Sequence, residues 1–468
     1  MPNPPPAALP LRAFAVSAVA ALGGFLFGFD TAVINGAVGA VRENFGLGAG
    51  QTGFAVSCAL IGSALGAWYA GPLADRFGRV RAMQFAALAL AVSALGSGLV
   101  AGLWDLVGWR LLGGIGVGMA SVIAPAYIAE VSPAHVRGRL GSLQQLAIVL
   151  GIFFSLLCDA LLAHLAGGAS QPLWLGLAAW RWMFLAAIVP AVVYGLLVLT
   201  VPESPRHLVA KGEHGRATRV LRDLLGLHDE DALASKVREI GASLKLERRP
   251  RLGDLRRSGG GLLPVVWTGI LLSAFQQLVG INVIFYYSSV LWHSVGFSEA
   301  DAFVITVATS IVNVLVTLVA IALVDRVGRK PLLAVGSAGM ALTLAVMAWC
   351  FTRSSGGGES LQLAAPWGTV ALVAANLYVI FFGVSWGPVT WVLLGEMFPN
   401  RIRAIALAVA AAAQWLANFA ITASFPGLAE IGLPFAYGLY ALFALLSLWF
   451  VVARVRETRG MELEAMSD

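Results

Sequence analysis

Long apolar stretches separated by short polar breaks run along almost the whole chain. They fall near 13–38, 52–74, 81–102, 106–128, 141–163, 178–201, 264–292, 302–324, 331–351, 367–394, 403–424 and 433–453. A stretch of about 20 residues crosses a hydrocarbon layer of about 30 Å at about 1.5 Å of rise per residue. The pattern predicts an all-α polytopic membrane protein with twelve transmembrane helices. One long polar segment, 202–263, interrupts it. There Val220, Leu221, Leu224 and Leu225 recur at helical spacing, which predicts short amphipathic helices over 212–226 and, in part, 232–246. A partly disordered linker is the alternative for this charged segment.

Composition supports a lipid environment. The chain of 468 residues is 59% hydrophobic and 12% charged, about half the charge of an ordinary soluble chain. The net charge of +6 could suggest nucleic acid, but its placement does not. With the loop after the second span assigned to the cytoplasm, Arg12, Arg76, Arg79, Arg81, Arg137, Arg139, Arg326, Arg329, Lys330, Arg401, Arg403, Arg454, Arg456 and Arg459 fall inside. Only Arg42, Arg181 and Arg353 fall at the outer ends. This positive-inside asymmetry predicts both termini in the cytoplasm. Cys58, Cys158 and Cys350 all lie in apolar spans and read as small core residues, not as a disulfide or metal set. Cleavage of the apolar start as a signal peptide would discard Asp30 and leave eleven spans, so the start reads as a retained span.

The chain repeats itself. Gly-Pro-Leu-Ala-Asp-Arg-Phe-Gly-Arg (71–79) follows the second span, and Val-Asp-Arg-Val-Gly-Arg-Lys (324–330) follows the eighth. Ala-Glu-Val-Ser-Pro-Ala-His-Val-Arg-Gly-Arg (129–139) follows the fourth, and Gly-Glu-Met-Phe-Pro-Asn-Arg-Ile-Arg (395–403) the tenth. Two related motifs in the same order predict two pseudo-symmetric six-helix bundles, an arrangement common among transporters. The expected divisions are 1–201, a cytoplasmic linker 202–263, a second bundle 264–454 and a cytoplasmic tail 455–468.

These motifs, with Arg-Leu-Leu-Gly-Gly-Ile-Gly-Val-Gly (110–118), Pro-Glu-Ser-Pro-Arg (202–206), Gln-Gln-Leu-Val-Gly-Ile-Asn (276–282) and Glu-Met-Phe-Pro (396–399), resemble the sugar porters of the major facilitator superfamily. The resemblance is to bacterial xylose–proton symporters and, more distantly, to mammalian facilitative glucose transporters, over essentially the whole chain. Two departures stand out. The family's C-terminal Pro-Glu-Thr-x-Gly is Arg-Glu-Thr-Arg-Gly here (456–460), and Arg403 is followed by Ala404 where the first repeat has Arg137-Gly138. The resemblance implies a sugar–proton symporter working by alternating access. It also implies a monomer in a plasma (inner) membrane, with a monosaccharide and a proton as its small partners, the lipid bilayer as its surroundings, and no cofactor, metal or nucleic acid.

Asp30, near the middle of the first span, is expensive in a bilayer, at about 2.5–3.5 kcal/mol on insertion scales, and is therefore a functional candidate by default. Arg110 is the basic residue placed well inside the first-half core and its expected partner. Proton-coupled members of the resembled family carry an acid at the position of Asp30. A structural Asp–Arg pair that only fixes packing is the alternative. A sugar needs uncharged amides for its hydroxyls and aromatic faces for its ring. The resemblance places Phe27, Gln145, Gln276, Gln277, Asn282, Tyr286, Tyr287, Trp391, Gln414 and Trp415 at such positions. Asn418 lies one turn beyond Gln414, and Asn313 is a further candidate. Six residues turn a helix by about 240°, so Gln276 and Asn282 share a face only if the seventh span breaks, with Gly280 as the expected break. A second hinge is expected at Gly387-Pro388.

Acid and base recur at the inner ends as Asp75, Arg76, Arg79, Glu130, Arg137, Asp325, Arg326, Arg329, Glu396 and Arg403, joined by Glu203 and Arg206. Their symmetry suggests a charge network that closes the inner side and breaks when the halves rock. An enzyme is disfavoured because no phosphate loop, His-Glu-x-x-His or Cys/His cluster occurs. A proton-independent uniporter, a multidrug–proton antiporter and a non-transporting sugar sensor, which would be expected to carry long tails, remain as rival classes. Four lysines against 27 arginines suggest a GC-rich bacterial source, and Asn-x-Ser/Thr is absent.

Overall fold

The structure, a computed structural model, describes residues 11–132, 137–225, 229–246, 252–257, 260–354, 362–399 and 402–458. Its helices in chain order are α1 (Leu11–Ala32), α2 (Ile34–Phe45), α3 (Ala49–Phe77), α4 (Arg79–Gly98), α5 (Leu103–Val131), α6 (Arg137–Ala166), α7 (Ala179–Ala186) and α8 (Ile188–Val198). The polar segment then holds α9 (Pro205–Ala210), α10 (His214–Leu225) and α11 (Glu230–Leu246). The second set is α12 (Pro264–Leu278), α13 (Ile281–Ser294), α14 (Glu299–Val327), α15 (Arg329–Phe351), α16 (Trp367–Val384), α17 (Trp386–Met397), α18 (Arg403–Ile431) and α19 (Leu433–Arg454). Four pairs, α1–α2, α7–α8, α12–α13 and α16–α17, are bent spans, and among the described residues twelve segments are long and apolar enough to cross a membrane. Helices are what lipid demands, because each satisfies its own backbone polar groups. The amphipathic helices expected in the polar segment are α10 and α11, and α10 is tied to the start of α1 by an Arg12–Asp223 ion pair of 3.1 Å.

Small residues let the spans approach. On α3, a Cβ added at Gly62 or Gly66 would run into the backbone of α5. On α5, one added at Gly114 or Gly118 would run into the backbone of α3. Reciprocal glycines of this kind replace the hydrophobic drive that lipid cannot supply. They also fix the height of Arg110, which lies one turn before Gly113 and Gly114.

The bends have local causes. Gly280 between α12 and α13 adopts a left-handed φ of +86°, and a Cβ there would lie 2.7 Å from the Tyr440 ring. The bend in the tenth span falls at Ser385 (φ −123°, ψ −86°), earlier than the expected Gly387-Pro388 hinge. Pro388 has no N–H to give the carbonyl four residues back, and its ring crowds that carbonyl, so α16 ends at Val384 and α17 starts afresh. Proline then sits harmlessly in the first turn of the new helix.

The two six-span sets meet tightly at the end away from the repeated Asp-Arg motifs. Asn35 of α2 donates from Nδ2 to Phe285 O (2.9 Å) and Ser288 Oγ (3.2 Å) of α13, and accepts from the Ser289 amide and hydroxyl at 3.3 and 2.6 Å. Ala169 N donates to Glu299 Oε1 across the same end at 3.0 Å, and Gly53 of α3 lies against the backbone of α18 at Ala423. This end is called the clasp end below, and the end bearing the Asp-Arg motifs the basic end.

Candidate functional site

Asp30 and Arg110 face each other in the first-half core, 5% and 2% exposed. Arg110 Nη1 donates to Asp30 Oδ1 at 3.2 Å and to the Asp30 carbonyl at 3.1 Å. The guanidinium carbon lies 5.8 Å from the centre of the Phe184 ring. The pair is incompletely satisfied, since Asp30 Oδ2 and Arg110 Nε have no hydrogen-bond partner among the described residues. A small cavity lined by Leu26, Phe29, Asp30, Leu90 and Ala187 borders it. A buried charge needs its partner more than it stabilises the fold, so a change in the protonation of one member forces a rearrangement of the other.

The amides gather in the second half. Gln276 donates from Nε2 to the Trp386 carbonyl at 2.8 Å and the Gly387 carbonyl at 3.3 Å, holding α12 against the bend before α17. Gln277 donates to Gln276 Oε1 at 3.3 Å, and Asn282 donates to Gln277 Oε1. The left-handed turn at Gly280 thus brings Gln277 and Asn282 into one polar chain. Asn418 of α18 is buried and accepts from Thr422 at 3.0 Å, while Gln414, one turn earlier, keeps its carbonyl oxygen unpartnered. Trp415 packs against Phe27 of α1, ring centres 5.7 Å apart, and joins the two halves. Gln145 on α6 is half-buried and Asn313 on α14 is 7% exposed.

Tyr286 on α13, 6% exposed, stands between the two groups, near Thr31 of α1 and Asn418 of α18. Thr31 was not among the expected residues, although it follows Asp30 directly. Two expected members of the site stand apart. Tyr287 donates to the Thr422 carbonyl at 3.0 Å and stacks on Phe425 at 5.0 Å, so it is occupied in packing α13 on α18. Trp391 is 44% exposed and makes none of the ring contacts that hold Trp415.

Among the described residues, the Arg79 and Arg329 ion pairs of the basic end lie within each half. Arg79 binds Glu130 at 3.0 Å and Asp75 at 3.1 Å, and Arg329 binds Glu396 at 2.8 Å. Glu203 accepts from the amides of Arg79 (2.8 Å) and Val80 (3.3 Å), the first turn of α4, and Ser204 donates to Glu130. The second half repeats this. Glu457 accepts from the amides of Arg329 (3.0 Å) and Lys330 (2.9 Å), the first turn of α15, and Thr458 donates to Glu396. Residues 455–458, expected in a free tail, therefore return to the bundle. Carboxylates at helix N-termini are favoured by the exposed amides and the helix dipole. His207 on α9 lies 3.5 Å from Arg79 Nη1, and burial first, then Arg79, holds its imidazole below the usual histidine value against the opposing pull of Glu203. Arg403 donates to the Phe398 carbonyl at 3.1 Å, closing the end of α17. Arg76 lies over the Phe77 ring and Arg326 is exposed, while Arg206 makes further contacts. The side chains of Arg137 and Asp325 lie outside the described residues.

Twelve helical spans in two sets around a central polar chain, with one buried acid–base pair beside it, define a membrane transporter. The chain belongs to the sugar (and other) transporter family, whose profile matches residues 16–468. It is 56% identical to the glucose transport protein of Synechocystis sp. over 96% of both chains, and 38% identical to the D-xylose-proton symporter of Escherichia coli K12 over 97% of this chain and 94% of that one. Among solved structures it superposes on the partially occluded inward-open xylose transporter XylE from E. coli with a TM-score of 0.83, at 36% identity over 97% of this chain and all of that one. The inward-open form gives 0.80, and the form bound to 6-bromo-6-deoxy-D-glucose gives 0.77. The protein is thus a twelve-helix sugar porter of the major facilitator superfamily, a transporter and not an enzyme.

Proposed function

We propose that the protein is a monosaccharide–proton symporter that works by alternating access between its two six-span halves, with both termini on the cytoplasmic side. The observation that carries this reading is the buried, half-satisfied Asp30–Arg110 pair and its link to the amide set through Thr31 and Tyr286. A proton arriving at the free Oδ2 cancels the charge that holds Arg110 Nη1, leaving that nitrogen its bond to the Asp30 carbonyl. Thr31 and Tyr286 then feel a changed field, and Tyr286 stands near Asn418 on the sugar side.

Gln276, Gln277, Asn282, Gln414 and Asn418 offer donors and acceptors to the hydroxyls, and Trp415 and Phe27 offer ring faces. Gln145 on α6 and Asn313 on α14 are further candidates for the set. The clasp end is sealed, so the site communicates with the basic end in this state. The positive-inside charge pattern makes that end cytoplasmic and the state inward-facing. The Arg79 and Arg329 clusters, locked inside their own halves here, are the pieces that meet across the basic end when the site faces outward.

Proteoliposomes loaded with a pH-sensitive dye test the coupling. Addition of glucose or xylose outside should acidify the lumen in step with sugar entry. Sugar entry without acidification would make the protein a uniporter, and failure of a panel of monosaccharides to enter would reject transport.

A further inference from the structure

The first half holds a second buried carboxyl that the proton pair does not use. Asp159 on α6 is 1% exposed. Its Oδ2 accepts the Gly36 amide of α2 at 3.2 Å, and its Oδ1 has no partner among the described residues. Space for it exists only because residue 36 is glycine, since a Cβ there would lie 2.6 Å from Asp159 Cβ. Gly36 follows Asn35, the residue that fastens α2 to α13 at the clasp end.

No cation compensates Asp159 among the described residues. Toward the clasp end the elements packed on α6 carry Asp30 (α1), Arg42 and Glu43 (α2), Asp105, bound by the Ala101 amide, and Arg110 (α5), Arg181 (α7), and Glu299 and Asp301 (α14), and α6 itself carries His164. Arg110 is held by Asp30, Arg181 by the carbonyls of Gly98 and Val100, Glu43 by Ser170, Glu299 by Ala169 and Asp301 by Ser298. Arg42 is exposed in the last turn of α2. An ionised carboxylate in this setting is costly.

We propose that Asp159 is a proton-operated latch of the clasp end, protonated when the Asn35–α13 clasp is closed and ionised when α2 swings away and water reaches it. The proton comes from and returns to the clasp side, because Asp159 binds the amide of Gly36, the neighbour of the clasp residue Asn35. It therefore sets how readily the outer side closes without being carried across. The inference rests on the alternating-access reading above. A closed state that binds one more proton than the open state loses up to tenfold in its closed-to-open ratio per pH unit of alkalinisation.

The test uses spin labels at Asn44→Cys and Ala300→Cys, one on each half at the clasp end. The native cysteines are replaced and Asp30→Asn is included to silence the first acid, with the protein in nanodiscs. Distances are read by pulsed electron resonance from acid to alkaline pH. The expected result is a short distance at low pH that gives way to a long one as pH rises, and a short distance at every pH in Asp159→Asn. Asp159→Ser serves as a second neutral variant. A distance that ignores pH, or a pH dependence unchanged by both variants, overturns the proposal. Sugar counterflow measured on the same samples separates the two readings. Counterflow without a pH-driven distance change rejects the latch alone, and a pH-driven distance change without counterflow of any sugar rejects the sugar reading alone.

Discussion

Removing the Glu457 side chain tests whether the two halves are built as equivalents at the basic end. Glu457 accepts two amides of the first turn of α15, at 3.0 and 2.9 Å, as Glu203 does for α4 at 2.8 and 3.3 Å. Hydrogen bonds to an ionised acceptor are worth about 1.5–3 kcal/mol each. Glu457 is half-buried, and screening about halves the sum, to roughly 1.5–3 kcal/mol. For a cooperative unit the size of one half, with about 2–4 °C per kcal/mol, Glu457→Ala should lower Tm by about 3 °C or more. Glu203→Ala should lower it by a similar amount. Thermal unfolding of the detergent-solubilised protein, followed by thiol-reactive dye or scattering, measures both. A large fall for Glu203→Ala with none for Glu457→Ala would refute the equivalence and leave the second cluster dependent on Arg329–Glu396 alone.

Trp415→Ala removes the ring shared with Phe27 and should weaken sugar binding about tenfold or more, with a smaller effect on protein stability; equilibrium binding and Tm separate the two. Asn35→Ala removes the three side-chain hydrogen bonds between α2 and α13, leaving the one to its backbone carbonyl, and should populate the state open at the clasp end, seen as increased labelling of a cysteine introduced beside the clasp; unchanged labelling would count against the clasp. His207 titrates below the usual histidine value, so the unfolded chain takes up its proton first. Its contribution to the docking of α9 is present at neutral and alkaline pH and is lost as pH falls through the ordinary histidine range and then the lower folded value. Hydrogen exchange of 205–210 should rise on acidification, and His207→Gln should abolish the rise.

Much of this architecture was legible in the chain because lipid imposes a simple rule on composition and length. The twelve spans, the break at Gly280 and the Asp30–Arg110 pairing all follow from it, with the last needing one buried acid and one buried base in the same half. The bend at Ser385 was displaced from its expected place because proline disturbs the turn before it, not its own position. Glu457 and Thr458 stood out only as part of the departing C-terminal motif, and their contacts were not legible because their partners lie 128 and 62 residues away. Tyr287 and Tyr286 are neighbours with the same chemistry, and only the packing of α13 on α18 separates the one that faces the site from the one that does not. Asp159 carried the same signal as Asp30, an acid within an apolar span, and its neighbour Gly36 becomes meaningful only once α2 and α6 are side by side.

The most direct test of the central claim is accumulation of labelled sugar by proteoliposomes under an inward proton gradient, compared between wild type and Asp30→Asn. Gradient-dependent accumulation in the wild type, with exchange or downhill flux alone in Asp30→Asn, is the predicted result. Equal, gradient-independent equilibration in both would contradict it and leave the Asp30–Arg110 pair a packing element of a uniporter.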